Sequence, residues 1–204
     1  MSKTYSEDLL IEATTIQLLA GLGWQTANVH HNEQFGANGS IGRDNQQQVI
    51  LKHRFLKAIK TLNPNLPETA YLNAYDSIAL SDITKTLAQL NFEKYQQLTE
   101  GIPVNYKDEK GKLVRNKKIQ VFDHQNPEAN DFLAVQQLWV KGRAGMSRRP
   151  DVVGFVNGIP LVFIELKAHH IPIKAAYNDN LSDYKDAIPH LLHTNALVIL
   201  SNGL

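Results

Sequence analysis

The sequence predicts an α/β protein, on three observations. Two short apolar runs, 151–156 and Ile159–Leu166, are nearly continuous, the pattern of strands buried on both faces. A helix-periodic stretch at 174–188 then leads into another apolar run at 196–201, as a crossover between parallel strands would. The composition agrees: 204 residues, 43% hydrophobic and 20% charged, suit one ordinary domain with a packed core.

The first element is a predicted helix over 4–22, with Leu9, Ala13, Ile16 and Ala20 near one face and Ser6, Glu7 and Asp8 at an acidic start. Gly21 and Gly23 stop it, and a short strand is predicted at 26–30. The segment FGANGSIGRDN (35–45) carries glycines at 36, 39 and 42, but no Gly-Lys-Ser/Thr follows. A flexible surface loop is expected there. Residues 46–62 are helix-periodic through Val49, Ile50, Phe55, Leu56 and Ile59; NPNLPE (63–68) is a turn, and one or two helices follow to about residue 98. Past Gly101, the runs 102–107 and 113–122 form a hairpin around KDEKGK with Gly111. Then come FLAVQQLWV (132–140), the basic stretch KGRAGMSRR (141–149), and the two central strands joined by Asn157-Gly158. Tyr177, Leu181, Tyr184 and Ile188 mark the apolar face of the late helix, with Pro189 near its end.

Charge and residue content exclude several classes. Twenty-one Lys+Arg against twenty Asp+Glu leave +1, which excludes a uniformly cationic nucleic-acid coat but not a local basic patch. With no cysteine there is no disulfide framework and no thiolate zinc or iron–sulfur site. The start MSKTYSEDLL is charged where a signal peptide needs an apolar run, and no stretch approaches the ~18 apolar residues of a membrane span. A cytoplasmic protein with no membrane partner is expected.

Chemistry concentrates at one hairpin. Asp151 heads its first strand; Glu165-Leu166-Lys167 closes the second, with Glu165 and Lys167 on one face by alternation. A bare two-residue turn at Asn157-Gly158 sets Asp151 opposite Ile164, whereas a three-residue loop or a bulge sets it opposite Glu165. The longer loop or a bulge is predicted, because two carboxylates beside an ammonium at a dry sheet end are costly unless paired or binding an ion. Two carboxylates suit Mg²⁺, which keeps waters for a substrate phosphate, and Mn²⁺ is the natural substitute. Lys167 beside them suits phosphodiester hydrolysis, by orienting or helping deprotonate a water or stabilising developing charge. The bland alternative is a structural ion pair.

PDVVGFVNGIPLVFIELK (150–167) resembles the PD-(D/E)xK nuclease motif in the form found in the restriction (R) subunit of type I restriction–modification enzymes. FGANGSIGRDN, NPEANDFLAVQQLWVKG (126–142) with RRPD, and the final LVILSNG are similar to the same subunit's N-terminal region. The resemblance implies a restriction-endonuclease-like core, a mixed central sheet flanked by helices, with helical and β-hairpin elaboration. It implies one nuclease domain over 1–204, its catalytic core about 4–30 and 120–204 and its helical elaboration about 46–100. Asp151 and Glu165 are then metal ligands and Lys167 assists the water, with Glu12 as an added acidic residue. Related nucleases carry Gln-x-x-x-Tyr on the following helix; here those positions are Asn180 and Tyr184, and the shorter Asn puts its reach in doubt.

The implied activity is Mg²⁺-dependent cleavage of unmodified double-stranded DNA, after translocation by an ATP-driven motor that has no Walker sequence in this chain. ATP would belong to that motor, and the chain would be an N-terminal fragment or a truncated product. Modification and specificity subunits would be its partners. Lys141, Arg143, Arg148 and Arg149, among glycines just before Asp151, are either DNA-phosphate contacts or a solvated loop. Lys107, Lys110, Lys112, Arg115, Lys117 and Lys118 read as a solvated hairpin, with DNA or subunit contact as the alternative, and the histidines form no defined metal set. A rival reading is a docking module, catalytically weak, coupling the motor to its partner subunits; it would tolerate alanine at Asp151, Glu165 and Lys167.

Overall fold

The computed structural model describes residues 3–142 and 145–202. Its centre is a five-stranded mixed sheet in the order β1-β4-β7-β8-β9. These strands are β1 (Gln25–Asn28), β4 (Phe132–Gln136), β7 (Val152–Val156), β8 (Ile159–Leu166) and β9 (Leu197–Ser201). β1 pairs parallel to β4 and β9 parallel to β8, while β7 runs antiparallel to both its neighbours. Four strands therefore end at one edge of the sheet, and β7 begins there.

Alternation along the strands sorts the core. Ala134, Val152 and Ile164 face α1 (Lys3–Gly21), which covers them with Ile16 and Leu19. Val135, Val153 and Phe163 face the opposite way, against Leu181 and Tyr184 of helix α5 and Ile188 just past its end. That helix comprises Ile173–Ala175, a π-helical stretch Ala176–Leu181, and Ser182–Ala187. The sequence reading of 174–188 gave a helix there; the wider turn inside it is a property of i→i+5 bonding that side-chain periodicity does not reveal.

The hairpin resolves the register. Asn157 and Gly158 both have positive φ (50° and 77°), the two-residue turn that matches strand twist. Gly158 is required: a Cβ there would lie 2.8 Å from Leu51 O and Phe55 N. The pairing shifts between Gly154/Val162 and Phe155/Pro160, leaving Leu161 as a bulge. Val152 thus meets Ile164, and Asp151 comes level with Glu165. Of the two expected solutions, the bulge is the one adopted.

A second core lies among α2 (Lys52–Leu62), α3 (Glu68–Ala79), α4 (Leu87–Glu100) and the hairpin of β2 (Ile102–Lys107) with β3 (Leu113–Ile119). Phe55, Ile59, Ile78, Ile102 and Ile119 fill it, and Ile159 joins it to the sheet. The helix expected from residue 46 starts only at Lys52. Val49, Ile50 and Leu51 are all buried but divided between two cores, and Leu51 N–H donates to Gly158 O instead of a helical carbonyl.

The segment 35–45 is an irregular loop as expected, exposed over most of 35–40, but residues 41–43 are buried and anchor it. Arg43 is fully buried; its guanidinium bonds both oxygens of Glu33 at 2.6 Å and the carbonyls of Trp139 (2.7 Å) and Gln48 (3.3 Å). The glycines let the chain fold back on itself, with Gly36 N–H donating to Arg43 O. Finally, 132–140 is not one strand. Gln137 turns out of it at φ 58°, and the chain resumes as β5 (Val140–Lys141), paired with β6 (Ser147–Arg148).

Candidate active site

The edge where the parallel strands end holds a cavity of about 380 Å³. Openings at the carboxyl ends of strands are where open α/β sheets bind ligands, because the strand ends deliver side chains that no helix covers. Glu12, Asp151, Glu165, Lys167, Asn180 and Tyr184 all line it, together with Arg149, His30, Asn28, Gln136 and Gln137. With Arg149, seven residues singled out from four sequence regions therefore share one opening.

Glu165 is 2% exposed. Asn180 Nδ2 donates to its Oε1, and the Tyr184 hydroxyl lies beside it. Its Oε2 is buried with no hydrogen-bond partner. Asp151 Oδ2 accepts from the Leu166 N–H at 2.8 Å, so the carboxylate is tied to the very strand that carries Glu165. Burial raises both carboxyls above their ordinary range. The Asp151 charge raises Glu165 further, and the Glu12 charge acts the same way on Asp151. Lys167 Nζ stands 3.7 Å from Glu165 Oε1 and donates to Asn180 Oδ1 at 2.8 Å. Asn180 thus reaches both groups despite lacking the methylene of glutamine, from within the π-helical stretch. Tyr184 is buried, and its hydroxyl is pushed above its ordinary value by desolvation and then by Glu165.

Glu12 enters from α1 and is 7% exposed. It accepts from Gln137 Nε2 at 2.7 Å and Gln136 Nε2 at 2.9 Å. Adjacent strand residues point to opposite faces; both glutamines reach Glu12 because Gln137 has left the strand at positive φ. Its N–H donates to Asp151 O, which fixes that departure beside the site. Sequence reading passed over both glutamines. The Gln-Gln pair ending an apolar run was the available signal, but the backbone turn that uses it was not.

A divalent cation fits this chemistry. A buried carboxylate oxygen without a donor is costly unless a cation meets it, and Asp151 and Glu165 are hard oxygen donors. Among the described residues no three His, Cys, Asp or Glu side chains converge as a metal group. A cation here would lean on two carboxylates and water, as Mg²⁺ commonly does.

The basic stretch is divided. Arg149 lines the cavity; Arg148 points away and pairs with Asp183 of α5, Nη2 to Oδ1 at 2.6 Å. Lys141 lines a separate cavity of about 610 Å³ with Asp186 and His190, and Arg143 lies outside the described residues. A third cavity, about 590 Å³, contains Arg54, but both Asp131 oxygens close on it at 2.7–2.8 Å. The candidate site is the smallest of these three cavities; what sets it apart is the unmet carboxylate oxygen. No described helix is long and apolar enough to cross a membrane.

Residues 4–204 match the family described as "Type I restriction enzyme R protein N terminus". The chain is 32% identical over 198 residues to the type I restriction enzyme HindI endonuclease subunit of Haemophilus influenzae, covering 95% of this chain and 18% of that protein. It is also 32% identical over 203 residues to the putative type I restriction enzyme MjaIXP endonuclease subunit of Methanocaldococcus jannaschii, covering 98% and 19% respectively. The chain spans about one fifth of the length of these curated relatives.

Proposed function

This chain belongs to the type I restriction enzyme R protein N-terminal family, and on that premise we propose that it is the Mg²⁺-dependent endonuclease region of such a subunit. Its reaction is hydrolysis of phosphodiester bonds in unmodified double-stranded DNA, after an ATP-driven motor elsewhere in the full-length subunit has translocated the duplex. Modification and specificity subunits complete the proposed assembly and read the DNA sequence.

One observation carries the nuclease reading: the unpartnered Glu165 Oε2, buried level with Asp151 and beside Lys167. Asp151 and Glu165 would hold the cation. When bound, it supplies positive charge against the phosphate as negative charge builds there. Lys167 has three donors and one is spent on Asn180, so it retains donors to orient a water and to stabilise the developing charge. Asn180 and Tyr184 hold Glu165 in place, while Gln136 and Gln137 hold Glu12 at the cavity wall.

The test is Mn²⁺-induced paramagnetic broadening of amide signals in wild type and Asp151→Ala. Broadening confined to 151 and 165–167, and lost in the variant, is expected. Diffuse broadening indifferent to the mutation would overturn the metal-nuclease reading and leave the docking module in its place.

A further inference from the structure

The described arginines with ion pairs share one habit: Arg43, Arg54 and Arg148 each close on a carboxylate. Arg149 does something else. Its Nη1 donates to His30 Nε2, and its guanidinium lies 5.3 Å over the ring of Trp139. The Trp139 indole N–H in turn donates to the His30 carbonyl at 3.2 Å, and His30 stacks on His31 with ring centroids 3.7 Å apart. Arg149 and His30 line the same cavity as Asp151 and Lys167, and Trp139 backs them, holding the Arg149 guanidinium over its ring and the His30 main chain through its indole N–H.

Each contact orients the guanidinium without neutralising it. An imidazole nitrogen that accepts from Arg149 is uncharged, and desolvation together with the neighbouring guanidinium lowers the His30 pKa below its ordinary value. An indole face attracts a cation but carries no formal charge. One N–H is committed to His30, so the planar fork keeps donors for an anion, and a phosphate accepts such a fork bidentately.

We propose that Arg149, held by His30 and Trp139, is the phosphate clamp of this cavity, binding a backbone phosphate of the DNA strand to be cut. His30 and Trp139 are positioning residues. The inference rests on the nuclease reading, and it separates Arg149 from its neighbour Arg148, whose charge is spent on holding α5.

The test measures binding of a short fluorescent DNA duplex in EDTA, across a series of salt concentrations, with Mn²⁺ broadening of each protein recorded separately. Arg149→Gln is expected to weaken duplex binding roughly tenfold and to lower the salt slope by about 1, while Mn²⁺ broadening at 151 and 165–167 persists. Arg115→Gln, which removes one charge from the exposed β2–β3 hairpin, should change affinity much less. His30→Ala should reproduce part of the Arg149→Gln loss, and His30→Gln, which keeps an acceptor, should restore it. Trp139→Phe, which keeps an aromatic face, should bind better than Trp139→Leu.

Equal losses for the Arg149 and Arg115 variants would mean diffuse attraction and overturn the clamp, as would unchanged binding by Arg149→Gln or no duplex binding by wild type. Wild type without selective Mn²⁺ broadening would instead sink the nuclease reading, whatever the duplex data gave.

Discussion

Arg43 and Glu165 are both withdrawn from water, at 0% and 2% exposure, yet their surroundings differ in kind. Around Arg43 the donors and acceptors are matched: two Glu33 oxygens and two main-chain carbonyls meet its fork. Around Glu165 they are not. One oxygen is supported by Asn180, the other has no partner, and a second carboxylate stands level with it. Matched burial ties segments 33–48 and 139 together. Mismatched burial stores a cost that a cation and a phosphate would relieve. The first arrangement serves folding, the second binding.

The largest expected effect tests the matched side. Arg43→Met leaves Glu33 buried and uncompensated and should cost about 3–5 kcal/mol, lowering Tm by roughly 10 °C in a domain of this size. The double variant Arg43→Met/Glu33→Leu should recover most of that loss, measured by thermal denaturation. If Arg43→Met melts within a degree or two of wild type, the contrast between the two sites breaks.

The mismatched side should respond in the opposite sense. The Glu165 carboxyl is raised in the folded state, so its ionised form opposes folding increasingly as pH rises from its unfolded value through its folded one. Glu165→Gln removes that opposition. In EDTA the variant should melt higher than wild type at pH 8.5 and close to it at pH 5, while losing Mn²⁺ broadening. A lower Tm at both pH values would make Glu165 a structural residue like Arg43.

Proton competition gives a subtler measure. A cation needs both carboxylates ionised, and burial holds both protonated above the ordinary range. Mn²⁺ affinity, followed by calorimetry, should therefore strengthen from pH 6 to pH 8.5 and be accompanied by proton release. The smallest shift is expected from Asn180→Ala. Its amide N–H favours the charged form of Glu165, so losing it should move that pH profile upward by a fraction of a unit, with Tm little changed.

Much of this contrast was legible in the residues. Alternation alone put Glu165 and Lys167 on one face, and the expense of isolated charge selected the register that brings Asp151 level with them. The strands 151–156 and Ile159–Leu166 read correctly because burial on both faces leaves an apolar run with no competing pattern. Reading failed where backbone geometry overrides composition. Glycines at 36, 39 and 42 pointed to a surface loop, and nothing in their pattern shows that Arg43 beside them is buried against Glu33 and Trp139. Val49-Ile50-Leu51 looked like helix because hydrophobic spacing does not say that a main-chain N–H is already promised to Gly158. The π-helical stretch that presents Asn180, and the positive φ of Gln137, leave no periodic trace.

The bulge at Leu161 has a consequence for how such a site tolerates change. From Asp151 to Val156 there are five steps along β7, and from Ile159 to Glu165 six along β8; the bulge absorbs the odd one. Removing Leu161 would shorten the motif by a residue yet leave a regular ladder with the two carboxylates still facing each other, whereas one added residue in β7 would need the bulge ironed out to keep them aligned. What must be inherited is the alignment of the two carboxylates across the hairpin, and the count of residues between the aspartate and the glutamate is free to drift as long as a bulge appears or disappears to match.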